Sequence, residues 1–282
     1  AVEGAEGDRL AQLSLERAEI LWLRQGRVAD AAAVLRPLLS SGVLSGELLL
    51  RVRVTMAQIA MANGELKEAL GEVDAALEDT VPGVAENLAL FVRHTASEVD
   101  LNCGFVDRAR ARLEAEPPIA AAFARGVRQQ AILEARLATT IGDFEGAHSL
   151  LRSLVSDAAS DLPDLDRIEI LHATAATALE SGDSSAAADH LSEARRILQS
   201  TPSVLYDLHL AVLEAAVSQA LGRPAPAAFA AIAEQAADLG MLPVVLTALE
   251  FDMAAAVDPE CRRAAARKLL EQTGPAWALP RR

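Results

Sequence analysis

The sequence predicts an all-α protein, a right-handed α-superhelix (α-solenoid) of about seven helix hairpins. Two observations carry this. Glycines recur at a nearly constant step, each closing one apolar helical run just before another begins. The apolar content, 51 % of the 282 residues, is mostly Ala, Leu and Val, and aromatics make up only 3 %. Ala- and Leu-rich segments suit closely packed helices, whereas a sheet would draw on more aromatic and β-branched residues.

The repeat is explicit in six glycine–alanine pairs: Gly26 with Ala31, Gly64 with Ala69, Gly104 with Ala109, Gly142 with Ala147, Gly182 with Ala187, and Gly222 with Ala227. The glycine-to-glycine steps are 38, 40, 38, 40 and 40. Pro259 and Ala264 continue the frame as a degenerate seventh copy. Seven residues before each glycine stand Glu19, Ala57, Ser97, Ala135, Ala175 and Ala215, five of the six small. Nine residues after stand Leu35, Val73, Leu113, Leu151, Leu191 and Ala231. Glycine takes the left-handed conformation that ends a helix. The two small columns let paired helices approach, and the Leu column fills the seam to the next hairpin.

Other signals place the helix ends. Asp143 and Asp183 follow their glycines as caps. Thr201-Pro202 and Asp258-Pro259-Glu260 read as a cap with Pro in the first turn. Val81-Pro82-Gly83, Glu116-Pro117-Pro118 and Asp161-Leu162-Pro163 break the chain between hairpins. The expected repeats run near 6–41, 45–79, 84–115, 118–159, 163–199, 202–239 and 241–273, all in one domain over 1–282 with a tail at 274–282. Trp277 in the tail is expected to dock on the last hairpin.

The spacing of small residue, Gly, Ala and large apolar residue resembles the tetratricopeptide repeat, from about Leu10 to Gln272. The period is longer than the family's 34 residues or so. The family's bulky residue four positions before the turn glycine is present as Trp22; elsewhere that place holds Ala60, Asp100, Ala138, Ala178 and Ser218. Long, Ala-rich versions look like the helical-repeat domains of maltose-regulator-type bacterial activators, and like regions that follow some bacterial Ser/Thr kinase domains. The resemblance implies a protein-binding scaffold.

Charge and motifs narrow the chemistry. The net charge of −14 disfavours nucleic acid and anionic membranes and suits a basic protein or peptide. Only Lys67 and Lys268 are lysines, a bias typical of GC-rich bacterial genomes. Cys103 and Cys261 lack metal or redox spacing, so a reducing, cytoplasmic setting is expected, within a longer chain. There is no phosphate-binding loop, nucleophile elbow or zinc-protease helix, and no enzyme activity or cofactor is expected. The five histidines read as isolated polar or core residues rather than metal ligands.

In such a superhelix the first helix of each hairpin lines the concave face. The repeat frame places Glu16, Arg51, Gln58, His94, Glu98, Gln129, Arg136, Glu169, His172 and His209 there. Two functions are compatible with this mixed polar set. One is a scaffold that holds a peptide, a helix or a partner domain. The other is a ligand-sensing regulatory domain of a larger bacterial protein.

Overall fold

The computed structural model describes residues 2–81, 83–115, 124–157, 162–223 and 226–255. Among them are thirteen α-helices and no strand. These are α1 Val2–Glu19, α2 Val28–Ser41, α3 Gly46–Asn63, α4 Leu66–Glu78, α5 Glu86–Asn102, α6 Val106–Glu114, α7 Ala124–Ile141, α8 Phe144–Asp157, α9 Asp164–Glu180, α10 Ser184–Ser200, α11 Val204–Ala220, α12 Pro226–Asp238 and α13 Leu242–Ala255. The expected second helix of the last hairpin, Cys261 and Trp277 lie outside the described residues.

The hairpin turn repeats in atomic detail. All six frame glycines have positive φ, between 67° and 89°. At Gly142 (φ 84°) the glycine N–H donates to the Thr139 carbonyl at 3.1 Å, and the Asp143 N–H to the Ala138 carbonyl at 2.8 Å. This closes the helix with carbonyls that would otherwise lack donors. The chain then re-enters helix two residues after the glycine. Asp143 and Asp183 cap α8 and α10, accepting from the N–H of Gly146 at 3.0 Å and of Ala186 at 2.9 Å. The Thr201-Pro202 start is corrected: α11 begins at Val204 with Ser203 as its cap, and the Thr201 hydroxyl donates to Asp164 instead.

Behind the first five turns the alanine column of the second helices is fully packed. Ala57, Ser97 and Ala135 have 0 % exposure, as do Ala31, Ala69, Ala109, Ala147 and Ala187 on the second helices. The Leu column follows, with Leu35, Val73 and Leu151 at 0 %.

Two places depart from the frame, each by a countable slip. A π-helical turn over Ile20–Arg24 inserts one residue at the end of the first helix. There the Arg27 N–H reaches back six residues to the Leu21 carbonyl, where the later turns span five. Ala18, not Glu19, therefore fills the small column, with 0 % exposure, and Glu19 is exposed. Leu21 rather than Trp22 takes the family's bulky place. The second slip is in α12. Pro226 opens it four residues after Gly222 instead of two, as Pro favours the first helical position. Ala227 and Ala231 are exposed, and Phe229 (1 %), Ala233 (9 %) and Ala236 (0 %) are the buried side.

The described residues divide into two units, 2–126 with Leu239–Met241, and 127–238 with 242–255. In the first, Ala57, Ala60, Leu66, Val73, Ala96 and Val99 of α3, α4 and α5 make one core cluster. In the second, Ile168, Ala175, Leu191, Ile197 and Leu213 of α9, α10 and α11 make another.

Candidate functional site

Three positions on each first helix, thirteen, ten and six residues before the turn glycine, hold the expected binding residues. They lie on one helical face, at i, i+3 and i+7.

In the first unit, Arg51 is exposed and Gln58 and Glu98 are half-buried. Arg51 donates to the Gln12 side chain at 3.0 Å. The π-helical turn explains this pairing, because the inserted residue puts Gln12 at the position of Arg51 and Phe91. The same slip corrects Glu16. Counted from Gly26 it shares the position of His94 and His172, but Leu15 stands there, 1 % exposed. Glu16 is exposed and accepts from Gln12 at 3.0 Å. His94 also differs from the expectation: at 3 % exposure it packs in the core and presents no ring to a partner. Phe91 was missed. It is 38 % exposed and shares the repeat position of Arg51, Gln129, Glu169 and His209, which is the signal that could have found it.

In the second unit, Gln129, Arg136, Glu169, His172 and His209 are all half-buried. Gln129 on α7 donates to Glu169 on α9 at 3.2 Å, the counterpart of the Gln12–Arg51 bond. Arg128 pairs with Asp166 at 3.2 Å, and Thr139 with Thr177 at 3.0 Å, so bonds between neighbouring first helices run along this face. His172 and His209 meet edge to face, with ring centroids 5.6 Å apart. Sequence spacing alone did not pair them, because they occupy different repeat positions. Burial pushes the His172 imidazole down to about 3, helped by His209 and Arg136. Burial, then Arg136, pushes His209 down to about 4.

The second helices carry a different chemistry. Arg36 on α2 bridges Glu65, just before α4, at 2.6 Å and Glu68 on α4 at 2.8 Å. Arg53 holds Glu72 at 2.9 Å, and Arg195 on α10 holds both oxygens of Glu214 at 2.7 and 2.8 Å. Asp100, with 0 % side-chain exposure, lies between Arg108 and Arg112, the latter at 2.7 Å. A carboxylate thus occupies a site where the family places a bulky apolar residue, and two guanidinium groups compensate for its burial. Its neighbour Cys103 is buried, and burial followed by the Asp100 charge pushes its thiol up to about 11. That is the inert end of cysteine chemistry.

Among the described residues no three His, Cys, Asp or Glu side chains gather as metal ligands, and no helix is long and apolar enough to cross a membrane. No family model matches the chain, and no curated protein matches it. Among solved structures, a tetratricopeptide repeat protein from Parabacteroides merdae ATCC 43184 is similar. The match covers 85 % of this chain and 84 % of that one, with a TM-score of 0.51 and 13 % identity. At that identity the likeness concerns the fold alone, and the fold of this chain is that of a tetratricopeptide-type helical-hairpin repeat.

Proposed function

We propose that this chain is a protein-interaction module whose first-helix face holds a peptide, a helix or a partner domain across several consecutive hairpins. The observation that carries this is the repeated polar contact at one repeat position, Gln12 with Arg51 and Gln129 with Glu169. Within each unit such a bond ties neighbouring first helices along one face, which suits an extended or helical partner better than a compact one. The net charge of −14 favours a basic partner over nucleic acid or a membrane. Other domains of the same full-length protein, as in maltose-regulator-type activators, are a natural source of such a partner.

The test is capture of partner by four variants measured side by side. Glu98→Lys and Glu169→Lys should weaken it, mainly through slower association, and added salt should do the same. Glu72→Lys and Glu193→Lys should matter less, because Glu72 is tied to Arg53 and Glu193 to Arg196 on the second-helix side. Loss of capture by the second pair alone would overturn the assignment of the face. The alternative, a ligand-sensing regulatory domain, draws on the Arg136, His172 and His209 group. It takes over if no protein is captured and a small molecule raises the melting temperature.

A further inference from the structure

Helix α1 carries an apolar stripe on its outer side. Leu10, Leu13 and Ile20 are 61, 54 and 52 % exposed. With Arg17, also exposed, they follow the spacing i, i+3, i+7 and i+10, so the four share one face of the helix. The later hairpins show what such a face is for. Gln12 stands at the repeat position of Arg51 and Phe91, so Leu13, Arg17 and Ile20 correspond to Val52, Met56 and Ile59 on α3 and to Val92, Ala96 and Val99 on α5. All six of those counterparts have 0 % exposure. On α5 the cover comes from the second helix of the preceding hairpin. Ala96 and Val99 share a core cluster with Leu66, Ala69 and Val73 of α4, and Val92 shares one with Ala76. The exposure of Leu10, Leu13 and Ile20 means that no described helix takes that place on α1.

Arg17 breaks the apolar pattern, since its counterparts Met56 and Ala96 need no polar partner. A helix that covers Leu13 and Ile20 also takes the Arg17 guanidinium out of water, and the charge then needs a carboxylate. Exposed Arg9, one turn before Leu13, adds a second cation beside the stripe. The acids Asp8 and Glu16 lie in another row with Gln12, at i, i+4 and i+8, where Gln12 donates to Glu16 at 3.0 Å. We propose that this face of α1 docks an amphipathic helix of a partner protein, laid where a second helix lies on α3 and α5. Its seam supplies apolar residues to Leu10, Leu13 and Ile20 and a carboxylate to Arg17. A second copy of this chain fits poorly, because its own stripe offers Arg17 no acid in either orientation. The segment 259–273 fits poorly too, with Arg262, Arg263, Arg267 and Lys268 against Glu260 and Glu271. This surface is separate from the first-helix face proposed for a basic partner, and its occupant has the opposite charge. The net charge of −14 opposes an acidic helix at long range, but salt screens that field beyond about 8 Å, so contact groups decide the affinity.

The probe is a fluorescent, helix-stapled peptide of residues 65–79, because α4 performs this covering within the chain and the segment carries six acids against Lys67. Its anisotropy is followed while the full chain is added, and saturable binding is expected. Leu13→Asp should weaken it by about tenfold or more with an unchanged melting temperature, since the side chain is exposed. Arg17→Glu should weaken it similarly, and a peptide with Glu68→Lys and Glu72→Lys should recover affinity for that variant alone. Glu98→Lys and Glu169→Lys should leave binding unchanged. No saturable binding, wild-type affinity in Leu13→Asp, or equal affinity for a peptide with every acid changed to its amide would each overturn the proposal. A lowered melting temperature in Leu13→Asp would do the same, by showing the side chain packed within the chain. Sedimentation that reveals a dimer abolished by Leu13→Asp would give the face to a second copy instead. Peptide binding lost in Glu98→Lys and Glu169→Lys would move it to the first-helix face. If capture of the basic partner depends on Glu98 and Glu169 while the peptide fails to bind, the interaction face stands and this second surface falls.

Discussion

The α9–α10 hairpin and the α11–α12 hairpin share a turn glycine in the left-handed region, yet their second helices bury different positions. In α10, Ala187 and Leu191 are packed five and nine residues after Gly182. In α12 the same count lands on exposed Ala227 and Ala231, and Phe229 is buried instead. The turn fixes where a helix ends, but the next helix starts where its first good N-terminus occurs. In α12 that is Pro226, two residues late. The first hairpin teaches the same lesson in the other direction, since its extra residue sits before the glycine, in the π-helical turn.

The comparison can be broken by substitution. The largest effect is expected at Phe229, which also stacks on Phe251 at 6.2 Å. Phe229→Ala should cost about 3–5 kcal/mol in chemical denaturation. An unchanged midpoint would return α12 to the unslipped register. Next, Ala187→Phe should overpack its seam and cost about 1–3 kcal/mol, while Ala227→Phe stays within about 0.5 kcal/mol. Equal costs would remove the two-residue slip. Ala18→Phe and Glu19→Phe make the same contrast for the first hairpin, with the penalty falling on Ala18. Gly142→Val should cost upward of about 1 kcal/mol from backbone strain at φ 84°, since an added Cβ meets nothing within 4 Å. Two spectroscopic probes should be followed, because hairpins of an array need not unfold together.

A smaller effect distinguishes the second unit by pH. His172 and His209 have folded values of about 3 and about 4, against 6.5 for an ordinary imidazole. Below pH 6.5 the unfolded chain takes up protons that the folded chain refuses. The stability these rings provide as neutral groups is complete above that pH and falls as the pH drops toward 4. Thermal midpoints of the wild type should therefore decline more steeply between pH 7 and pH 4 than those of a His172→Gln/His209→Gln double variant. Parallel slopes would show that the rings are already solvated.

Much of this was legible in the residues. The glycine period located every described hairpin, because a left-handed helix end leaves a mark that little but glycine can supply. Both departures were visible as blemishes, Glu19 in a column of small residues and Ala231 in a column of large ones. Read as tolerated mismatches, they hid the slips, since a π-helical insertion has no residue type of its own. Glu16 was misplaced for that reason and Gln12 overlooked. The His172–His209 contact was not legible, because it depends on the axial offset between neighbouring first helices, which spacing along one chain does not give. His94 became a core residue for a tertiary reason too, while its repeat counterpart His172 meets the His209 ring on the next first helix.

The thiol of Cys103 makes a clock. It lies at the end of α5, just before the turn into α6, beside a carboxylate held by two arginines. A thiol that ionises only near 11 reacts slowly with disulfide reagents at neutral pH while its hairpin stays closed. In a Cys261→Ser background, the labelling rate at neutral pH would count the openings of this one hairpin in an otherwise folded molecule. Comparing that rate with the global unfolding rate would show whether the array comes apart one hairpin at a time or as a block, with a single native sulfur atom as the reporter.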